Sequence, residues 1–263
     1  MELCIRNIKK FLLLILSLTL MQNAYAKNIT NPLFIPKKDT FLSTSFGEYR
    51  KFHLKEATQA RHYLRSRKLG NEFEYGLSDT ASLLLSISNT WTRQSMDFFP
   101  THKENTNINW SVGGHYDFYH TENYFLQAKV RYLQQETHHY NGAYKALDAN
   151  IRTGYDLGFV LPYVGLSGQL PIAQSKLADD KVKASAYGGL YTDFSFVALD
   201  ISVNYDYDRF DWNHKLYMHS SLDFLIGEHF SIGGYFDRTL IDKNKYSQKA
   251  DEITFGGQIK MYF

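Results

Sequence analysis

His219, Ser221 and Asp223 carry the three side-chain types of a hydrolytic relay, a base, a nucleophile and an acid, at intervals of two residues. In an extended chain that interval puts all three on one face. Neighbours along the row then stand about 7 Å apart, too far for direct proton transfer between serine and histidine. A polar ladder on one face of a strand is the expected reading. The histidines His53, His62, His102, His138, His139 and His214 fall between the regular segments without fixed ligand spacing, so no metal site is expected. No glycine-rich phosphate loop, zinc motif or cofactor fingerprint occurs, and no cofactor is expected.

Carboxylates recur in a more regular setting. Glu74-Tyr75, Asp117-Phe118, Asp156-Leu157, Asp193-Phe194 and Asp223-Phe224 each place an acid before an apolar or aromatic residue, a few residues ahead of a short turn. Basic residues gather elsewhere. Arg50, Lys51, Lys55, Arg61, Arg65, Arg67 and Lys68 lie close together with Glu56 as the only opposing acid.

The elements that must position these groups are visible as alternation. From residue 41 onward, segments of roughly ten residues alternate apolar and polar side chains, the length a tilted membrane strand needs. Twelve can be placed, at about 41–50, 67–76, 81–92, 107–118, 124–134, 146–157, 162–171, 182–193, 197–208, 215–225, 230–240 and 252–263. In LDISVNYDY at 199–207, Leu199, Ile201, Val203, Tyr205 and Tyr207 face one way and Asp200, Ser202, Asn204 and Asp206 the other. Connections alternate too. Short turns at 77–80, 119–123, 158–161, 194–196 and 227–229 separate longer polar links at 51–66, 93–106, 135–145, 172–181, 209–214 and 241–251. A soluble β-sandwich has no reason to alternate turn length in this way or to carry 16% aromatics.

Arg6, Lys9 and Lys10 precede the apolar run FLLLILSLTL, and Ala24-Tyr25-Ala26 offers small residues for cleavage, so residues 1–26 read as a signal peptide. Ten apolar residues make only about 15 Å of helix against a hydrocarbon core of roughly 30 Å. Removing that segment takes three basic residues and one acid from totals of 29 and 27, which leaves the remainder formally neutral and gives no support to a nucleic-acid binder. Cys4 goes with it, leaving no thiol chemistry. Residues 27–40, with Pro32 and Pro36 and no alternation, read as an N-terminal periplasmic arm or plug.

The last strand, EITFGGQIKMYF, ends on an aromatic after strict alternation and resembles the C-terminal sorting signal of bacterial outer-membrane β-barrels, which the assembly machinery reads. That family usually has glycine five positions before the terminal aromatic, where this chain has Gln258 beside Gly257. The resemblance implies an all-β, closed antiparallel transmembrane β-barrel over residues 41–263. About twelve strands would run as an up-and-down meander in the bacterial outer membrane, with both termini periplasmic.

On that frame Glu74, Asp117, Asp156, Asp193 and Asp223 form an acidic ring at the periplasmic end of the lumen, kept ionised by water. Tyr75, Phe118, Phe194, Phe224, Met261 and Phe263 face lipid as a lower aromatic girdle and assembly signal. Lys129, Arg131, Arg152, Asp200, Lys215 and Lys260 belong to a charged lumen network in which acids outnumber bases. Lys55, Arg61, Arg65 and Arg67 form a basic extracellular loop that could pair with lipopolysaccharide phosphates. Twelve-stranded outer-membrane phospholipases are similar only in the His-x-Ser spacing. Their motif continues with asparagine-glycine where this chain has Leu222-Asp223, and their nucleophile faces lipid. The expected function is a passive porin-like pore for small polar solutes with a preference for cations. The alternatives are an outer-membrane lipase or protease acting at the barrel wall or rim, and a closed structural or adhesive barrel. Outer-membrane lipid, the assembly machinery and small solutes are the expected partners; no residue marks an oligomer interface.

Overall fold

A computed structural model describes residues 29–55, 61–96, 99–137, 143–173, 182–208, 213–243 and 249–263. The chain forms β1 (Phe41–Lys55), β2 (Arg61–Ser78), β3 (Ala81–Met96), β4 (Phe99–His120), β5 (Tyr124–Thr137) and β6 (Ala143–Tyr155). β7 (Leu161–Ala173), β8 (Lys183–Asp193), β9 (Val197–Asp208), β10 (Asn213–Ile226), β11 (Phe230–Lys243) and β12 (Lys249–Tyr262) complete it. Each strand pairs antiparallel with its neighbours in sequence, and β12 returns to β1, giving a closed twelve-stranded meander. The predicted signal peptide lies outside the described residues.

Closure has a physical cause. A strand edge in hydrocarbon would leave a row of unpaired N–H and C=O groups, and only a closed ladder satisfies them all. The seam runs from Leu42↔Tyr262 to Lys55↔Lys249. Phe41 and Phe263 extend it by exchanging backbone hydrogen bonds of 3.0 and 2.9 Å, so the terminal residue is the last rung of the barrel.

The pleat then sorts side chains. On β3, Ser82, Leu84 and Ser88 are buried toward the lumen while Leu83, Leu85, Ile87 and Trp91 are exposed on the outer face. Similar lipid-facing rows run round the barrel, including Ile201, Val203 and Tyr205 on β9.

The short turns fall where the sequence places them. Gly158 and Gly227 take positive φ in two of them, a backbone region that costs glycine least. The long links are shorter than expected. Residues 51–55 and 61–66 continue the β1–β2 ladder, 93–96 and 99–106 the β3–β4 ladder, and 241–243 and 249–251 lie in β11 and β12. Outside the bilayer both strand faces meet water, so hydrophobic alternation stops while backbone pairing continues. Lys55, Arg61, Arg65 and Arg67 are therefore strand residues rather than a loop. His53, His62, His102 and His214 likewise lie in strands, and His138 and His139 fall outside the described residues.

Paired positions on a closed ladder stand within disulfide reach. In a Cys4→Ser background, Ser43→Cys with Met261→Cys, an outward-facing pair on the seam, is expected to cross-link on oxidation. Mass spectrometry of the oxidised protein should then find a 43–261 linked peptide; an open sheet would give none.

Candidate functional site: the lumen

Residues 29–36 sit inside the periplasmic end of the barrel. Asn31 starts a turn in which its side-chain Oδ1 accepts from Leu33 N at 2.8 Å and its carbonyl accepts from Phe34 N at 3.0 Å. The turn drives Leu33 into a buried cluster with Phe125, Leu161, Tyr163, Tyr191 and Ala198, all lumen-facing. Ile29 and Phe34 pack with Leu42, and the Phe34 ring meets Tyr262 edge-on at 5.4 Å.

Two side-chain hydrogen bonds from the wall hold the segment: Gln127 Nε2 donates to Leu33 O at 2.8 Å, and Thr30 Oγ1 shares a proton with Tyr191 OH at 2.8 Å. Gly154 and Gly76 make the fit possible. A Cβ on Gly154 would stand 2.6 Å from Leu33 Cδ1, and one on Gly76 would collide with the Lys37 carbonyl.

A polar network surrounds this contact. Ser82 Oγ donates to Glu74, His115 Nδ1 lies 3.0 Å from Glu74 Oε1, and Arg152 reaches both His115 Nε2 at 2.8 Å and Gln127 Oε1 at 3.1 Å. Arginine only donates, so His115 Nε2 accepts and Nδ1 carries the proton toward Glu74. Gln127 thus connects the buried ion cluster directly to the N-terminal segment.

The five acids of the expected ring divide into two groups. Glu74, Asp117 and Asp223 are buried at the periplasmic end and have protein partners instead of bulk water: His115 and Ser82, His120 at 2.9 Å, and Gln258 at 3.0 and 3.1 Å. Asp156 Oδ1 and Asp193 Oδ1 instead accept from Gly158 N and Ser195 N and stabilise turns. The N-terminal segment and the inward aromatics occupy this end of the lumen.

Higher in the lumen, Lys129 donates to Glu72 at 3.1 Å, and Arg131 pairs with Asp148 at 2.6 Å and with Glu72 at 3.6 Å. Asp200 accepts from Tyr163 OH at 2.6 Å. Lys260 shares the lumen face with Gln258 and Tyr262 and makes no ion pair among the described residues. Toward the extracellular end, Glu252 bridges Arg50 at 2.7 Å and Lys215 at 2.9 Å. Here polar space opens: a cavity of about 450 Å³ lined by Arg50, Lys183, Lys215, Asp206 and Glu252, and a second of about 160 Å³ beside Glu48 and Asp237.

Sequence reasoning missed Glu48, Arg50 and Glu252 as lumen groups. The signal was present in the last strand, because Glu252 continues the Thr254, Gln258, Lys260 row. Glu48 and Arg50 sit at the top of a strand whose alternation fades.

The Ser/His/acid set does not assemble. His219 Nδ1 pairs across the ladder with Asp237 at 2.5 Å, Asp223 is held by Gln258, and no hydrogen bond joins Ser221 to His219. Among the described residues no group of three or more His, Cys, Asp or Glu side chains comes together to hold a metal. Tyr75, Phe118, Phe224 and Phe263 are exposed on the outer wall, Met261 shares their face on β12, and Phe194 lies just past the end of β8.

A closed antiparallel barrel with an apolar outer wall and a charged lumen, without a helix among the described residues, is the architecture of bacterial outer-membrane β-barrels. Solved structures give that class particular members. The chain is similar to the COG4313 outer membrane channel from Pseudomonas putida F1, with 10% identity and a TM-score of 0.68 over 92% of this chain and 100% of that one. It is also similar to the translocator domain of the autotransporter NalP from Neisseria meningitidis, with 8% identity and a TM-score of 0.58 over 86% and 90%. The NanC porin shares 9% identity and a TM-score of 0.52 over 83% and 98%. No protein-family model and no curated protein matches the sequence.

Arg152→Met is expected to leave His115 Nε2 and Gln127 Oε1 without their donor. Buried acceptors stripped of a partner cost about 1–3 kcal/mol. Urea unfolding in lipid vesicles should show a loss of that order, while Arg238→Met on the exposed outer face should change little.

Proposed function

We propose that the protein is an outer-membrane channel for small polar solutes, favouring cations, in which residues 29–38 close the periplasmic mouth. The observation that carries this reading is the division of the lumen. Its extracellular half holds open polar space, and its periplasmic half is filled by a segment outside the strand ladder. Residues 29–36 contact the wall through apolar packing and side-chain hydrogen bonds such as those of Thr30 and Leu33. Such contacts can be broken without opening the barrel, whereas wall residues cannot leave.

Charge supports the preference. Asp148, Asp206, Asp208 and Glu252 line the upper cavity against Arg50, Lys183 and Lys215, and an excess of carboxylate raises the local concentration of cations. The likeness to channel and porin folds supports the class of activity, and the substrate named for each neighbour stays with that neighbour. The terminal strand ending at Phe263 serves, in this reading, as the signal for the assembly machinery.

In planar bilayers, protein lacking residues 29–38 is expected to give steady ionic current, with the full-length protein conducting rarely. Under a KCl gradient the reversal potential should favour K⁺, and Asp206→Asn with Glu252→Gln should reduce that preference. Absence of current from both proteins would contradict the channel reading, and anion preference would contradict the selectivity.

A further inference from the structure

Cations that the lumen does not use collect on the outer wall near the extracellular ends of β1, β2 and β3. Register sets Lys51 opposite Arg65 and Arg65 opposite Arg93, so three cations stand side by side on one rung. On the next outward rung toward the membrane, Arg67 lies between Tyr49 and Trp91. Like charges directly opposite each other across a ladder destabilise it. The acid beside them, Glu104, reaches only to 4.0 Å from Arg93, with both side chains more than half exposed. An anion carrying several charged oxygens would remove that repulsion.

Apolar space adjoins the cations. A groove of about 910 Å³ descends from Arg65, Arg67 and Arg93 between Leu69, Trp91 and Phe255. Gly257, paired with Gly47 across the β1–β12 seam, faces outward and leaves its part of the floor without a side chain, and Leu69 borders the groove over Gly47. Exposed aromatics at this level suit the boundary between headgroups and acyl chains.

We propose that this face binds a phosphorylated, multiply acylated glycolipid of the outer leaflet, the lipid A part of lipopolysaccharide. Its phosphates pair with the rung of cations, and one acyl chain lies over Gly257 against Leu69. Arginine forks match phosphate oxygens two at a time, which a diffuse surface charge does not do. The apolar groove selects for a lipid over free phosphate.

Delipidated protein in detergent, titrated with bis-phosphorylated lipid A and followed by native mass spectrometry, tests the site. Wild-type protein is expected to retain one lipid A at least tenfold more tightly than phosphatidylglycerol, and millimolar inorganic phosphate should not displace it. Arg65→Ala with Arg93→Ala should weaken binding by at least about tenfold. Gly257→Leu should also weaken it by filling the groove, since a Cβ there meets nothing closer than 3.7 Å and the cations are untouched. Heat-dependent migration on gels reports whether each variant is folded; if the double variant is not, Arg93→Ala alone should show a smaller loss. Undiminished binding by the folded arginine variant, equal retention of phosphatidylglycerol, or displacement by phosphate would each overturn the proposal.

Discussion

The ladder between β1 and β12 is the contact on which the remaining structure depends, because without it two edges would face hydrocarbon with unsatisfied backbone groups. Once the ring closes, the two-residue repeat of each strand becomes a division between lipid and lumen. An outward polar row or an inward fully apolar row would then be misplaced, and register is strongly specified. Closure also brings Phe41 and Phe263 to one mouth. Phe41 and Phe263 bond to each other, and the segment preceding Phe41 has the barrel interior immediately beside it.

Proximity explains why residues 29–36 end up inside. Ile29, Leu33, Phe34 and Ile35 are too apolar to favour water, and the mouth offers Phe125, Leu161, Tyr163 and Tyr191. Gly76 and Gly154 leave space at the points of closest approach. The buried acids are compatible with this because each finds a donor: Glu74 has His115 and Ser82, and Asp223 has Gln258. Burying them unpaired would be costly. The lumen therefore changes character along its axis, from a packed, hydrogen-bonded base to an open, charged vestibule.

Much of the barrel was legible in the sequence, for a physical reason. Lipid on one side and polar groups on the other force alternation, which marks each strand where it crosses the bilayer, as in LDISVNYDY. The same reasoning loses the strands where they emerge into water, so alternation marks β2 only from about residue 67 although Arg61 and Arg65 also lie in it. Lumen partners were harder to read. Pairing such as Glu72 with Lys129 or Glu252 with Arg50 joins strands far apart in sequence and depends on barrel diameter and strand stagger, which no local pattern records. Asp156 and Asp193 share the acid-apolar dyad with Asp117 and Asp223 yet cap turns, because they sit at or just beyond their strand ends. Within the arm or plug expected at 27–40, Pro32, Pro36 and the lack of alternation set the stretch apart from the strands, but no local pattern shows that Leu33 and Phe34 are its buried contacts.

In the proposed channel, the seated N-terminal segment decides whether the lumen conducts. Leu33→Cys with Gly154→Cys, in a Cys4→Ser background, places two thiols where a Cβ at position 154 already approaches the Leu33 side chain to 2.6 Å. Bilayer current from this variant is recorded oxidised and then after adding reductant to the same membrane. Locking the segment should hold the channel silent, and reduction should restore openings. Equal current in both states, with the cross-link confirmed by mass spectrometry, would contradict the account.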